Sequence, residues 1–121
     1  VLERGRLGDT YNIGGCNEWT NIGIVRLLCE RIDRRLHDDP DLQTRFPGSP
    51  ASRGESSADL ITHVTDRAGH DRRYAIDAGR METELGFVPT ETFGTGIEKT
   101  LDWYFANVDW WQALIAGRKS A

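Results

Sequence analysis

The sequence predicts a small α/β domain spanning residues 1–121, rich in helices, with two short strands and three or four helices. Apolar residues recur at three- and four-residue steps over residues 20–36 and 93–107, a spacing typical of amphipathic helices. Two short runs, at 11–13 and 60–65, combine apolar, aromatic and β-branched residues ahead of turn residues, which is typical of strands. A chain of 121 residues has the length of one domain.

The first helix is predicted over residues 20–36. Its apolar positions form one continuous stripe: Ile22, Val25, Leu28, Cys29, Ile32 and Leu36. A stripe of this kind predicts that one face of the helix packs against the rest of the domain. Thr20 is suited to the N-cap, because its hydroxyl can accept a hydrogen bond from a free amide of the first turn.

Residues 37–59 differ in composition from both neighbouring segments. They contain three prolines, two glycines and four serines, with few apolar residues beyond Leu42 and Phe46. This composition predicts a long flexible loop at about 37–59 on the surface of the domain. Loops of this length can also be lids that bind a partner, and the sequence leaves both interpretations open.

Two further helices are predicted in the C-terminal half. The shorter runs over residues 78–85, where Asp77 is suited to cap the beginning and Gly86 to close the end. The longer covers residues 93–107. Aromatic residues cluster toward and beyond its end: Trp103, Tyr104, Phe105, Trp110 and Trp111. Core packing is one interpretation of this cluster, and an exposed, associating patch at its last two members is the other.

Charge and cysteine content narrow the classes of partner. The 15 Lys and Arg residues against 19 Asp and Glu give a net charge of −4, which does not suit a nucleic-acid backbone. No apolar run approaches the roughly 18 residues of a membrane span, so no membrane partner is expected. Cys16 and Cys29 form no paired framework, so we expect a reducing, cytoplasmic environment. The histidines at 37, 63 and 70 show no metal-ligand spacing, and no metal site is expected.

The chain carries no recognisable set of catalytic residues. None of its tyrosines is followed four residues later by a lysine, and no phosphate-binding glycine loop follows a strand and opens a helix. No Ser-His-Asp or Cys-His set occurs at a recognisable spacing. The chain begins at Val1 and its only methionine is Met81, so we expect a piece of a longer protein.

The most informative stretch is a cationic turn within residues 66–77. Its basic residues surround a glycine: Arg67, His70, Arg72 and Arg73. A planar guanidinium can hold two oxygens of a phosphate at once, and an imidazole beside it adds a directional donor. In an acidic chain, such a cluster indicates a site for one small anion. The alternative is a solvated turn whose arginines pair with the neighbouring carboxylates, Asp66, Asp71 and Asp77.

Several segments, taken in order, carry a resemblance to a known family. They are residues 11–18, 66–77, 84–89, 91–93 and 96–104, and the most specific run is Gly69-His70-Asp71-Arg72-Arg73-Tyr74-Ala75-Ile76-Asp77. In these segments the chain resembles the C-terminal part of dTDP-glucose 4,6-dehydratase, a family of extended short-chain dehydrogenases. The resemblance covers nearly the whole chain apart from the proline- and serine-rich segment.

The resemblance implies a division of labour within a longer enzyme. A small C-terminal domain would hold the nucleotide end of a dTDP-sugar, while an N-terminal Rossmann domain binds NAD. The implied reaction converts dTDP-glucose to dTDP-4-keto-6-deoxyglucose by oxidation at C4, loss of water across C5 and C6, and return of the hydride to C6. Because the catalytic and NAD-binding residues belong to the N-terminal domain, this chain alone is expected to bind no cofactor and to be inactive.

The resemblance also assigns individual substrate-binding residues. Asn21, Arg67 and His70 match family positions that contact the diphosphate, while Asp66 and Gly69 shape the same turn. An amide donor at a helix start, a guanidinium and an imidazole can converge on one anion, which agrees with this assignment.

Two other functions fit the same sequence. The chain could be a free-standing, non-catalytic remnant that associates with itself or a partner through surface left by a missing domain. It could also be a fragment of another nucleotide-sugar epimerase or dehydratase.

Overall fold

The structure is a computed structural model that describes residues 1–15, 17–69 and 74–118. Within these residues the chain forms five α-helices and two 3-10 helices. The α-helices are α1 (Asn21–Asp38), α2 (Pro40–Arg45), α3 (Gly79–Leu85), α4 (Phe93–Ala106) and α5 (Val108–Arg118), and the 3-10 helices are η1 (Ala51–Arg53) and η2 (Ser57–Leu60).

The prediction of an α/β class with two short strands is wrong. No strand occurs among the residues that the structure describes, and both predicted strands, 11–13 and 60–65, lack the hydrogen-bonded ladder of a sheet. Tyr11 and Ile61 are half-buried, but other apolar residues of these runs are open to solvent, with Ile13 59% and Val64 83% exposed. A strand needs a neighbouring backbone to complete its hydrogen bonds, and a run of suitable residues does not supply that neighbour.

The chain divides into two compact units, and the first contains Val1–Asn17 and Ile76–Ala121. Among its described residues, the buried apolar side chains lie in or beside α3 and α4: Ala78, Met81, Leu85 and Leu101. The Asp77 carboxylate accepts a hydrogen bond from the Gly79 amide at 2.9 Å, but the N-cap position of α3 is Ala78, one residue later than predicted. Gly86 ends α3 with a φ of +66°, which confirms the prediction for the other end.

α4 and α5 follow each other closely at the C-terminal end of the first unit. α4 begins where predicted, behind a capping box in which the Thr92 hydroxyl accepts from the Thr95 amide at 3.1 Å. α5 was not predicted, since the sequence analysis ends the helix at residue 107 and assigns no element to Trp110 and Trp111. The indole Nε1 of Trp111 donates to the Tyr104 carbonyl at 3.0 Å and so links the two helices.

In the second unit, Glu18–Ala75, the elements α2, η1 and η2 all contact α1. The Thr20 hydroxyl accepts from the Gly23 amide at 3.1 Å, which confirms the predicted cap of α1. Leu36, near the far end of the predicted apolar stripe, is only 1% exposed. The amphipathic helix of the sequence analysis is therefore present, with its boundaries shifted by one or two residues.

The segment at 37–59 contains short, capped helical turns. Asp39 Oδ1 accepts from the amides of Asp41 at 2.9 Å and Leu42 at 3.2 Å, and Pro40 opens α2. Proline suits this position, because the first turn of a helix leaves its amides without intrahelical acceptors. The flexibility expected of this segment stays a prediction.

Candidate functional site

A bend at residues 66–69 carries three of the predicted site residues. The Asp66 carboxylate accepts a hydrogen bond from the Arg67 amide at 2.8 Å. Gly69 has a φ of +75°, a conformation that glycine adopts without the steric cost of a Cβ atom. All three residues are exposed, and none of the ion pairs within the described residues involves Arg67. A guanidinium on such a bend can meet an anion from solvent.

Asn21 lies on a different element of the same unit. It is the first residue of α1, directly after the capping Thr20, and it is exposed. The aligned peptide dipoles of a helix place partial positive charge at this end, which favours a nearby anion. Asn21 thus occupies a position that can contribute to anion binding, as the resemblance implies.

His70 and the three residues after it lie outside the described residues. Of the predicted site residues, the structure brings Arg67, Asp66 and Gly69 together in one bend. The convergence of Asn21, Arg67 and His70 on a single diphosphate stays a prediction.

A cluster of charged and aromatic side chains in the first unit was missed by the sequence analysis. Arg80 Nε donates to Glu84 Oε1 at 2.9 Å, and a terminal guanidinium nitrogen of Arg80 bonds to the Asp9 carboxylate. The Tyr11 hydroxyl donates to Glu84 Oε2 at 3.1 Å, and the Arg80 guanidinium carbon lies 4.7 Å from the centre of the Tyr11 ring. These contacts tie the N-terminal segment to α3.

Both carboxylates of this cluster, Asp9 and Glu84, bond to the guanidinium of Arg80. Hydrogen bonding from Arg80 is the largest cause that holds the pKa of Glu84 below its ordinary value of 4.5. The hydrogen bonds to Glu84 and then to Asp9 raise the pKa of Arg80. The four-residue spacing of Arg80 and Glu84 was a signal that the sequence offered, whereas nothing local pointed to Asp9 or Tyr11. Because each charge has an opposite partner, we interpret the cluster as structural.

An apolar groove of about 470 Å³ lies along α4 and α5. Its lining residues are Tyr104, Trp110, Trp111, Leu114 and Ile115. Trp110 is 56% exposed and its ring packs edge-to-face on Trp103, with the centroids 5.1 Å apart. Trp111, by contrast, is half-buried. The aromatic cluster therefore combines internal packing with an exposed patch.

Two classes of feature are not found in the described part of the chain. No group of three or more His, Cys, Asp or Glu side chains there is arranged to hold a metal ion. No helix among those residues combines the length and apolar character needed to cross a bilayer.

Comparison with curated proteins gives matches over nearly the whole chain. The chain is 45% identical over 117 residues to a dTDP-glucose 4,6-dehydratase of Escherichia coli, a match that covers 97% of this chain and 29% of the relative. The corresponding enzyme of Neisseria meningitidis serogroup B is 41% identical, over 97% of this chain and 30% of the relative. That of Salmonella typhimurium is 44% identical over 110 residues, covering 91% of this chain and 26% of the relative. No protein-family model matches the chain.

Each of these three relatives is named a dTDP-glucose 4,6-dehydratase. The resemblance of the chain to dTDP-glucose 4,6-dehydratase, inferred from its ordered motifs, is confirmed by identities of 41–45% over 97% of its length. The chain spans less than a third of the length of these relatives, which is consistent with the C-terminal portion that the motifs indicated.

Proposed function

We propose that this chain is the C-terminal, substrate-binding portion of a dTDP-glucose 4,6-dehydratase and that it holds the diphosphate of dTDP-glucose. The reaction of the whole enzyme would yield dTDP-4-keto-6-deoxyglucose in the cytoplasm, with NAD and the catalytic residues supplied by the remainder of the enzyme. Similarity over 97% of the chain is the observation that carries the proposal. On this view the chain alone is inactive.

The local chemistry of the 66–69 bend supports the same proposal. Arg67 is exposed beside a left-handed Gly69, so its guanidinium is accessible to a ligand with two phosphate oxygens. Asn21 stands at the positive end of α1 and would add a neutral donor. His70, the next residue after the bend, would add a third donor.

The isolated chain is expected to bind weakly. Two or three charge-assisted contacts contribute about 1.5–3 kcal/mol each. The loss of translational and rotational freedom on association opposes most of that gain. A method that detects weak binding at single residues is therefore the appropriate one.

An NMR titration with dTDP-glucose tests the proposal. We expect progressive shifts at the amides of Asn21, Arg67 and His70, and we expect Arg67→Ala to abolish them. Arg34→Ala is the matched control, because Arg34 is an exposed arginine of the same unit that pairs with Glu30 at 2.7 Å, far along α1 from Asn21. Shifts confined to other residues, or equal losses in both variants, would contradict the proposal.

A second candidate function is association through the α4–α5 groove. The observation that favours it is the exposure of its lining residues, with Trp110 56%, Leu114 52% and Ile115 50% exposed. Apolar surface of this kind is a typical site of protein contact. Light scattering of the chain tests the idea: a species larger than a monomer that Trp110→Ser returns to a monomer supports it. A strict monomer at high concentration argues against it.

A further inference from the structure

The Asp33 carboxylate, in the middle of α1, holds η2 in place. The segment that leads to Arg67 begins at η2. The two oxygens of Asp33 accept from the Ser57 amide at 3.0 and 3.2 Å, and Oδ2 also accepts from the Ser56 hydroxyl at 3.1 Å. The Ser56 hydroxyl in turn accepts from the Ala58 amide at 3.2 Å. Ser56 thus caps η2, and Asp33 in turn accepts hydrogen bonds from Ser56 and Ser57. Hydrogen bonds to an ionised carboxylate are stronger than those between neutral groups.

Downstream of η2 the chain continues as an exposed segment toward the 66–69 bend. The Ile61 amide still donates to the Ala58 carbonyl at 3.1 Å. From residue 62 to the end of the 66–69 bend, every residue is exposed, and no backbone–backbone hydrogen bond within the described residues joins this stretch to another element. The start of this stretch is therefore fixed by the position of η2 on α1.

Chain lengths explain why that starting point matters. Asn21 lies 12 residues before Asp33 on α1, a distance of about 18 Å at the rise of an α-helix. Arg67 lies 7 residues after Leu60, and such a segment spans at most about 25 Å when extended. It can reach the N-terminal end of α1 only if it starts close to α1, and it has little slack even then.

We propose that Asp33 is a positioning residue for substrate binding. By holding η2 on α1, it fixes where the extended segment begins and so allows Arg67 to reach a diphosphate bound at the start of α1. This inference rests on the proposed function, since it names a residue that acts on the same site through Arg67 without touching the ligand.

Three variants of the 121-residue chain test this role, with amide hydrogen exchange and dTDP-glucose titration as the two measurements. Asp33→Ala is expected to speed exchange at the Ser57 amide at least about tenfold and to weaken binding reported by the Arg67 amide about tenfold. Asp33→Asn keeps one acceptor oxygen, so it is expected to restore much of both. Asp59→Asn removes an exposed carboxylate of η2 that has no such bonds and is expected to behave as wild type.

The two measurements separate this inference from the proposed function. Unchanged exchange at Ser57 in Asp33→Ala, or faster exchange with unchanged affinity, overturns the positioning role. Loss of affinity without rescue by Asp33→Asn overturns it too, because a general loss of folding would then account for the effect. If the wild-type chain shows no shift at Arg67 with dTDP-glucose, the proposed function fails and the positioning role with it, while exchange at Ser57 still reports whether the tie forms.

Discussion

Two segments that carry the family resemblance are held in very different ways. In the first unit, the 84–89 segment begins inside α3, where Leu85 is 4% exposed and Glu84 bonds to both Arg80 and Tyr11. In the second unit, the 66–69 bend is exposed throughout. Both segments match the family in sequence, but the first packs within the fold and the second is accessible to solvent.

This difference indicates what each motif is for. Three residues of the 84–89 segment have roles within the fold: Leu85 lies in the core, Gly86 ends a helix and Glu84 pairs with Arg80. At the bend, the hydrogen bond of Arg67 within the described residues is local, from its own amide to the Asp66 carboxylate. An exposed cationic side chain that has no ion pair among the described residues is the better candidate for a ligand contact.

The largest effect is expected from truncation of a buried side chain in the first unit. Leu85→Ala removes a 4% exposed side chain of α3 and is expected to lower the free energy of unfolding by about 2–5 kcal/mol, through lost burial and the cavity left behind. Val64→Ala, at a side chain 83% exposed, is expected to change it by less than about 0.5 kcal/mol. Urea unfolding of both variants measures the contrast. Similar losses at the two positions would show that the extended segment is packed after all.

A smaller effect is expected from two glycines that share one backbone conformation. Gly86 has a φ of +66° and Gly69 a φ of +75°, and an added Cβ meets nothing closer than 3.9 Å at either position. Gly86→Ala ends α3 with a strained residue and is expected to lower the free energy of unfolding by about 1–2 kcal/mol. Gly69→Ala should cost less stability, because the exposed bend has more room to relax.

The Gly69→Ala variant has a second readout that sharpens the contrast. A relaxed bend would move Arg67 relative to His70, so the affinity for dTDP-glucose is expected to fall while the unfolding transition hardly moves. Gly86→Ala should show the reverse pattern, with a lower unfolding midpoint and little change in the affinity for dTDP-glucose. A shared pattern in both variants would argue against separate roles for the two turns.

The parts of the fold that could be predicted are those specified by local chemistry. The cap at Thr20, the Asp77 bond at the start of α3 and the left-handed Gly86 each depend on residues within four positions of one another. The prediction of two strands was wrong because a strand depends on a partner that is distant in the sequence. α2 was missed although Asp39 and Pro40 are a recognised helix beginning, since the surrounding serines and prolines favoured a loop.

The candidate site follows the same rule. The sequence pointed to Arg67 and Gly69 because a cationic residue beside a turn glycine is a local pattern. It gave no sign of Asp33, whose partners Ser56 and Ser57 lie more than 20 residues away. An acidic residue in the middle of a helix is usually solvated surface, and only the folded chain shows what it holds.

The smallest effect is expected from the ion pairs of the first unit, and it is visible as a pH dependence. Because the pKa of Glu84 is lowered in the folded chain, its pairing stabilises the fold above the ordinary pKa of 4.5 and is lost as the pH falls through the folded value. Arg80→Ala removes the largest cause of that shift. Its urea midpoint should therefore depend less on pH below about 4.5 than that of the wild type.

Lys99→Ala is the control that separates a long-range tie from a local one. The hydrogen bond from Lys99 lowers the pKa of Glu91, as that from Arg80 lowers the pKa of Glu84. The Lys99–Glu91 pair is local to the start of α4, whereas Arg80 also contacts Asp9 and Tyr11. Both variants should reduce the acid dependence, yet only Arg80→Ala should also speed amide exchange in residues 9–11. Equal exchange there in both variants would mean that the Arg80 cluster does not hold the N-terminal segment, and the contrast between a tied and an accessible motif would then rest on the core of α3 alone.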